Sequence, residues 1–281
     1  MRDNLRKPVA IGGLGGSGTR LIASILKETG FYLGEALNKP LDNLWFSLLF
    51  KRIETTRLTD AEFHTLAGIF LNAMTNRNEF SDGERTLIKS LSTENRNVFR
   101  KDWMQMSADS MLSVAEHPRT PDPRWGWKNP NTHMVIDRWI SLLPNLKYIH
   151  VIRNGLDMAF SKNQNQLKLW GSYILGQDYI SVTPGNSLKF WCALHRRLLN
   201  MLSFTKSNFY LLNYDDFCTN PESGLNRLCS FLGMHLPASQ LTVLRGMVIP
   251  PRTIERYKQY ELTQFDKIDV EFVRSLGFKV M

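Results

Sequence analysis

Short apolar runs alternate along this chain with longer stretches of helical periodicity. Val9 to Ile11, Lys147 to Ile152 and Phe209 to Leu212 read as buried strands, rich in β-branched and aromatic residues. Trp125 to Lys128 reads as a short strand or extended segment. Leu21 to Thr29 follows the first strand as a helix, with Gly30 as its stop. Leu44, Trp45, Leu48, Leu49 and Ile53 form a helical stripe that Asp42 can cap, and Thr59 and Asp82 can open the next two helices, reaching Met74 and about Leu91. Val98 to Ala115, a segment from Asn131 to Leu143, Gly155 to Lys162, Leu188 to Thr205, Glu222 to Leu232 and Ala238 to Leu244 also read as helices, with a last one opened by Asp266 or Asp269. Pro118 to Pro123 reads as a proline-rich break, Gln164 to Pro184 as a long surface loop and Val248 to Tyr260 as an ordered loop. The order predicts an α/β fold: a central, mostly parallel sheet flanked by helices, with a large helical insertion at about 40–120, all in one domain spanning 1–281. In such sheets ligands sit beyond the carboxyl ends of the strands.

The turn after the first strand carries the chemistry. Gly12-Gly13-Leu14-Gly15-Gly16-Ser17-Gly18-Thr19-Arg20 joins strand to helix, a layout in which backbone N–H groups and a helix N-terminus point at an anion. Gly13-x4-Gly18 matches the frame of a Walker A loop, but Thr19 stands where its Lys would be and Arg20 where its Mg²⁺-holding Ser or Thr would be. A donor with one short 5′ anionic group fits such a loop better than a triphosphate with its metal. Arg153 follows the strand ending in Ile152, and Ser161 lies eight residues on; a guanidinium fork and a hydroxyl suit a second phosphate. Lys128, between Trp127 and Asn129-Pro130, is held with little freedom and is a candidate to meet a leaving group.

Composition narrows the picture. Thirty-five Lys and Arg against 26 Asp and Glu give a net charge of +9, which suits an anionic ligand. The basic residues are scattered and not interleaved with aromatics on one face, which disfavours a nucleic-acid module. Cys192, Cys218 and Cys229 have no disulfide or zinc spacing. With no secretory segment or long apolar span, the expected home is a reducing, cytoplasmic one without membrane insertion.

Together, Ser17-Gly18-Thr19 and the Arg153…Ser161 pair resemble the two phosphate motifs of the sulfotransferases that use 3′-phosphoadenosine 5′-phosphosulfate (PAPS), and Lys128-Asn129-Pro130 resembles a Lys-x-Pro motif of their bacterial and protein-tyrosine branches. The resemblance implies a P-loop NTPase-like sulfotransferase fold, PAPS as cofactor, PAP as product and no metal. It implies that Gly13, Gly15, Gly16, Ser17, Gly18, Thr19 and Arg20 bind the 5′ end of the donor, and Arg153 and Ser161 the 3′-phosphate. It also implies a C-terminal nucleotide loop at Arg252 to Lys258, with Arg256 and Lys258 toward the 3′-phosphate and Tyr257 near the adenine. Glu35, after Gly34, resembles the general base of two branches, with His133, near Lys128, as its better rival and His150, inside a strand and more readily a core histidine, as the lesser one; burial beside Phe31, Tyr32 and Leu33 would tune Glu35 for that role. Gly16 departs from the family, which often carries Lys or Arg there; Arg20 and Lys128 are the candidates to replace that charge. The acceptor is expected to be a small molecule, carbohydrate or lipid, with Trp45, Phe46 and Phe50 either shaping its pocket or packing in the core. The alternatives are a P-loop nucleotide kinase and a catalytically inactive PAP-binding protein.

Overall fold

The computed structural model describes residues 7–75, 79–96, 99–116, 124–176, 181–202 and 208–280. Strands β1 (Val9–Gly13), β2 (Gly126–Lys128), β3 (Lys147–Ile152) and β4 (Phe209–Asn213) form a parallel sheet in the order β2-β1-β3-β4. β1 pairs with β2 in the register Val9 with Gly126 and Ile11 with Lys128. Every residue of β1 and β2 is buried, as expected where helices cover both faces of a parallel sheet. The order around α1 (Thr19–Glu28) is strand, glycine turn, helix. Between β1 and β2 come α2 (Leu44–Phe50), α3 (Asp60–Thr75), α4 (Asp82–Thr93) and α5 (Lys101–Glu116); α6 (Ile136–Leu142) precedes β3. After β3 come α7 (Gly155–Ala159), α8 (Asn165–Leu175) and α9 (Pro184–Leu202), and after β4 come α10 (Tyr214–Thr219), α11 (Pro221–Leu232), α12 (Ala238–Gly246) and α13 (Lys267–Ser275). The chain divides into two compact units, residues 1–12 with 22–148 and residues 13–21 with 149–281.

In the first unit, Phe46, Phe50, Phe63, Phe70, Trp127 and Trp139 are fully buried. Their rings pack 4.9 to 6.5 Å apart, many edge to face, a geometry favoured by the ring quadrupole. Of the two roles open to Trp45, Phe46 and Phe50, the structure selects the core: all three are at most 1% exposed, which leaves no ring face for an acceptor. Arg138 reaches over this cluster to the carbonyls of Leu58 and Thr59.

Several local expectations are corrected. Asn43, not Asp42, caps α2, with Oδ1 accepting from the Phe46 N–H at 2.8 Å. Ser81 and Glu84 form a capping box at α4, so Asp82 lies inside the helix. Asn131 starts no helix; a 3-10 turn at Pro130–Met134, capped by Asn129, comes first. The loop expected from Gln164 contains α8, a helix that buries Leu167 and Trp170 and ends at Gly176 in the left-handed region. α10 was also unforeseen; Asn213 Oδ1 caps it by accepting from the Asp215 and Asp216 N–H groups. The proline-rich stretch 118–123 lies outside the described residues.

Candidate active site

The glycine turn belongs to the second unit, where its surroundings explain its composition. Leu14 accepts from the Ser17 N–H at 3.0 Å, and the Leu21 N–H reaches Gly18 at 3.0 Å, so the turn runs directly into α1. Gly16 and Gly18 have φ of +96° and +99°, a region costly for residues with a Cβ. At Gly18 a Cβ would lie 2.1 Å from the ring of Tyr214. At Gly16 a Cβ would meet only Ser161 Oγ, at 3.7 Å, and Met158 at 3.8 Å. Ser17 is 1% exposed and its hydroxyl has no hydrogen-bond partner. Native interiors rarely leave such a group unpaired, and a serine hydroxyl in a phosphate loop is paired when an anion binds there.

Arg153 leaves the end of β3. It is buried, its guanidinium carbon lies 6.0 Å from the centroid of the Tyr214 ring, and Nη2 donates to Thr253 Oγ1 at 2.8 Å. Nε lies 3.4 Å from Asp215 Oδ1, close enough for an ion pair but without hydrogen-bond geometry. Tyr214 thus neighbours both the glycine turn and Arg153. Ser161 belongs to no helix; α7 ends at Ala159, and the following bend carries Ser161 to the turn at Gly16.

The segment after α12 is strapped to α7. The Asp157 carboxylate accepts from the Glu255 N–H at 2.8 Å and the Tyr257 N–H at 3.0 Å. Burial pushes the pKa of Asp157 up, against these hydrogen bonds and the charges of Arg153 and Arg256. Burial likewise raises Asp215. Arg256 donates from Nη1 to the Phe160 carbonyl at 3.1 Å. Its pKa is lowered, first by burial and then by the like charge of Arg153. Lys258 is paired with Glu255 at 2.8 Å. Tyr257 is 1% exposed and its hydroxyl donates to the Lys279 carbonyl, so it fastens this segment and offers no open ring face. Arg20 is exposed at the start of α1.

The remaining candidates belong to the first unit. Glu35 is exposed on the turn after Gly34, so the apolar burial expected around it is absent. Lys128 is 2% exposed; its ammonium is ion-paired with Asp42 and donates to the Pro40 carbonyl at 3.1 Å. Leu41, between those partners, has φ of +65°, strain of about 1–3 kcal/mol that persists where surroundings enforce it. His133 is buried in the 3-10 turn. Asp157, Asp215 and Tyr214 carry no signal in the sequence, and Asp42 reads there only as a helix cap; each acts through a tertiary contact that no local motif announces.

A family model described as Sulfotransferase family matches residues 8–238. The chain belongs to the sulfotransferase family. Among solved structures, this sulfotransferase is similar to the sulfotransferase domain of the Synechococcus PCC 7002 olefin synthase, at 16% identity over 98% of this chain and 97% of that one, TM-score 0.53. It is similar to the sulfotransferase domain from the curacin biosynthetic pathway at 15% identity, over 98% and 99% of the two chains, TM-score 0.52. These are likenesses of fold. No curated protein matches the sulfotransferase's sequence. No helix among its described residues is long and apolar enough to cross a membrane.

Proposed function

We propose that this sulfotransferase moves a sulfuryl group from PAPS to a hydroxyl or amine of a small-molecule, carbohydrate or lipid acceptor, in line and without a metal. One observation carries the reading: Tyr214 packs on Gly18 while its ring lies 6.0 Å from the guanidinium of Arg153. A bisphosphorylated nucleoside needs two anion cradles close together, and the proximity of the glycine turn and Arg153 to one ring supports that reading.

The residues fit the donor. The unpartnered Ser17 hydroxyl, the turn's backbone N–H groups and the start of α1 suit the 5′ anion. Arg153, Arg256, Ser161 and, after exchange of its Glu255 partner, Lys258 suit the 3′-phosphate. PAPS supplies an activated sulfuryl group when bound. The protein's part is to hold the donor, counter developing charge and accept one proton, by analogy with phosphoryl transfer. Glu35 is the proposed base for the acceptor's proton, with His133 as the alternative. Lys128 and Arg20 are the proposed cations for the charge left on the donor. The three buried free thiols, Cys192, Cys218 and Cys229, support a cytoplasmic setting.

A kinase reading has less support, because the loop Lys is absent and Arg153 follows the second long strand. An inactive PAP-binding protein has one observation in its favour: Gly16 lies where a side chain would be strained, so the cation common in the family has no place there. A PAP-release assay with PAPS and a panel of hydroxyl and amine acceptors, run in excess EDTA, tests the proposal. Undiminished turnover in EDTA supports it. Strict dependence on Mg²⁺ contradicts it, and tight PAP binding without turnover on any acceptor favours the inactive form.

A further inference from the structure

We infer that Asn163 is a donor-binding residue, its side-chain amide donating to the 5′ phosphosulfate end in place of the loop cation that position 16 lacks; this rests on the PAPS reading above. A Cβ built on Gly15 would lie 2.9 Å from Asn163 Nδ2 and one on Gly16 would lie 3.7 Å from Ser161 Oγ. The bend after α7 therefore lays two polar groups along Gly15 and Gly16, two adjacent loop residues that have no side chains of their own.

The hydrogen bonds of the bend orient both groups. Asn163 Oδ1 accepts from the Asn165 N–H at the start of α8, at 3.4 Å, which assigns the carbonyl end of the amide to the helix and the NH₂ end to the loop. The Asn163 N–H donates to Ser161 Oγ at 3.2 Å. Ser161 Oγ is thus an acceptor toward the chain, and its own proton points elsewhere. The bend is held in turn. Gln164 Nε2 donates to the Met158 and Ser161 carbonyls at 3.0 and 2.9 Å. Gln166 Nε2 reaches the Gly13 carbonyl at 3.4 Å, which registers α8 on the loop. Donors fixed before the ligand arrives cost no reorganisation on binding.

The chemistry suits an anion that already has cations nearby. A carboxamide gives a charge-assisted hydrogen bond to a phosphate oxygen without adding repulsion to Arg153 and Arg256. Because Asn163 is exposed, its substitution leaves the core untouched; Asn163→Asp also keeps the acceptor for the Asn165 N–H, so ligand binding should register that change first.

Isothermal titration of the full chain with PAP, and with adenosine 3′-phosphate, which lacks the 5′ group, tests the inference. Asn163→Asp keeps the shape but presents a carboxylate, and Asn163→Ala removes the donor. PAP affinity should fall about tenfold or more in N163D and about three- to tenfold in N163A. Adenosine 3′-phosphate affinity and the Tm without ligand should stay close to wild type. PAP affinity within about twofold of wild type in N163D overturns the inference, as do equal losses for the two nucleotides. Should N163D not fold, the same comparison on N163A decides. A wild-type protein that binds no PAP is a different result: it removes the donor reading itself, before any variant is compared.

Discussion

The ring of Tyr214 fills the space that a side chain on Gly18 would need: a Cβ there would lie 2.1 Å from Tyr214 Cδ2. The turn closes on that ring only because position 18 is glycine with φ of +99°. Gly18→Ala should therefore cost about 1–3 kcal/mol in backbone strain alone, with the clash adding to it. PAP affinity should fall about tenfold or more, and Tm by several degrees. Gly16→Ala bears the same kind of backbone strain, at φ of +96°, but meets only ordinary van der Waals contacts at 3.7 and 3.8 Å, and should lose less on both measures. Calorimetry with the two variants side by side checks this; equal behaviour would mean that Tyr214 does not shape the loop.

Asp157 carries the strap over the same region by accepting two backbone N–H bonds, from Glu255 and Tyr257. In Asp157→Asn only one side-chain atom remains an acceptor, so one of these N–H groups loses its partner, at about 1–3 kcal/mol. Proteolysis between 252 and 260 should speed up and PAP affinity should drop about tenfold or more. Unchanged cleavage and affinity would show that the strap is held from elsewhere.

Lys128 and Asp42 give a stability test that also separates structure from catalysis. Asp42→Asn removes a carboxylate from the 2%-exposed ammonium of Lys128 in a part-buried ion pair, a loss of up to about 3–5 kcal/mol, the range for breaking a buried pair. The double variant Asp42→Leu, Lys128→Met should recover much of that. If Lys128 also counters charge in the reaction, the refolded double variant should still turn over about 100- to 1000-fold more slowly. Full activity in a stable double variant would make the pair purely structural.

The core holds a pH-sensitive histidine. His195 Nδ1 meets the Trp191 carbonyl at 2.6 Å and so carries a proton, leaving Nε2 to accept from His150 Nε2 at 3.2 Å. Burial lowers the pKa of His195 from 6.5 to about 4. Between those values the unfolded chain binds the proton and the folded protein does not. Stability is therefore full above about pH 6.5 and falls as pH drops toward 4, by about 3 kcal/mol from this group. Thermal unfolding from pH 7.5 to 4.5 should show the decline, and His195→Gln should flatten it. The same slope in the variant would assign the effect to other groups.

What was legible in the sequence follows from what is local. The glycine turn, the Arg153 to Ser161 spacing and the strands declare themselves through neighbours in sequence. α8 did not, because Gln166 and Gly171 on its buried face break the apolar stripe that marks a helix, although Leu167 with Trp170 and the stop at Gly176 were available signals. Tyr214, Asp157 and Asp215 act across about 60 to 200 residues of chain, and periodicity says nothing of such distances. The aromatic residues of α2 show the opposite case. Their pattern is the same whether they stack on a sugar or fill a core, and only packing decided between the two.

The central claim is a single site for a nucleoside bearing both 3′ and 5′ phosphates, and thermal shift across PAP, ADP, ATP with Mg²⁺, and adenosine 3′-phosphate tests it most directly. A ligand at 100 times its Kd stabilises by about 2.7 kcal/mol, enough for a shift of several degrees. A large shift is expected with PAP, a small one with adenosine 3′-phosphate and none that requires Mg²⁺. A shift with ATP and Mg²⁺ that exceeds the one with PAP would contradict it.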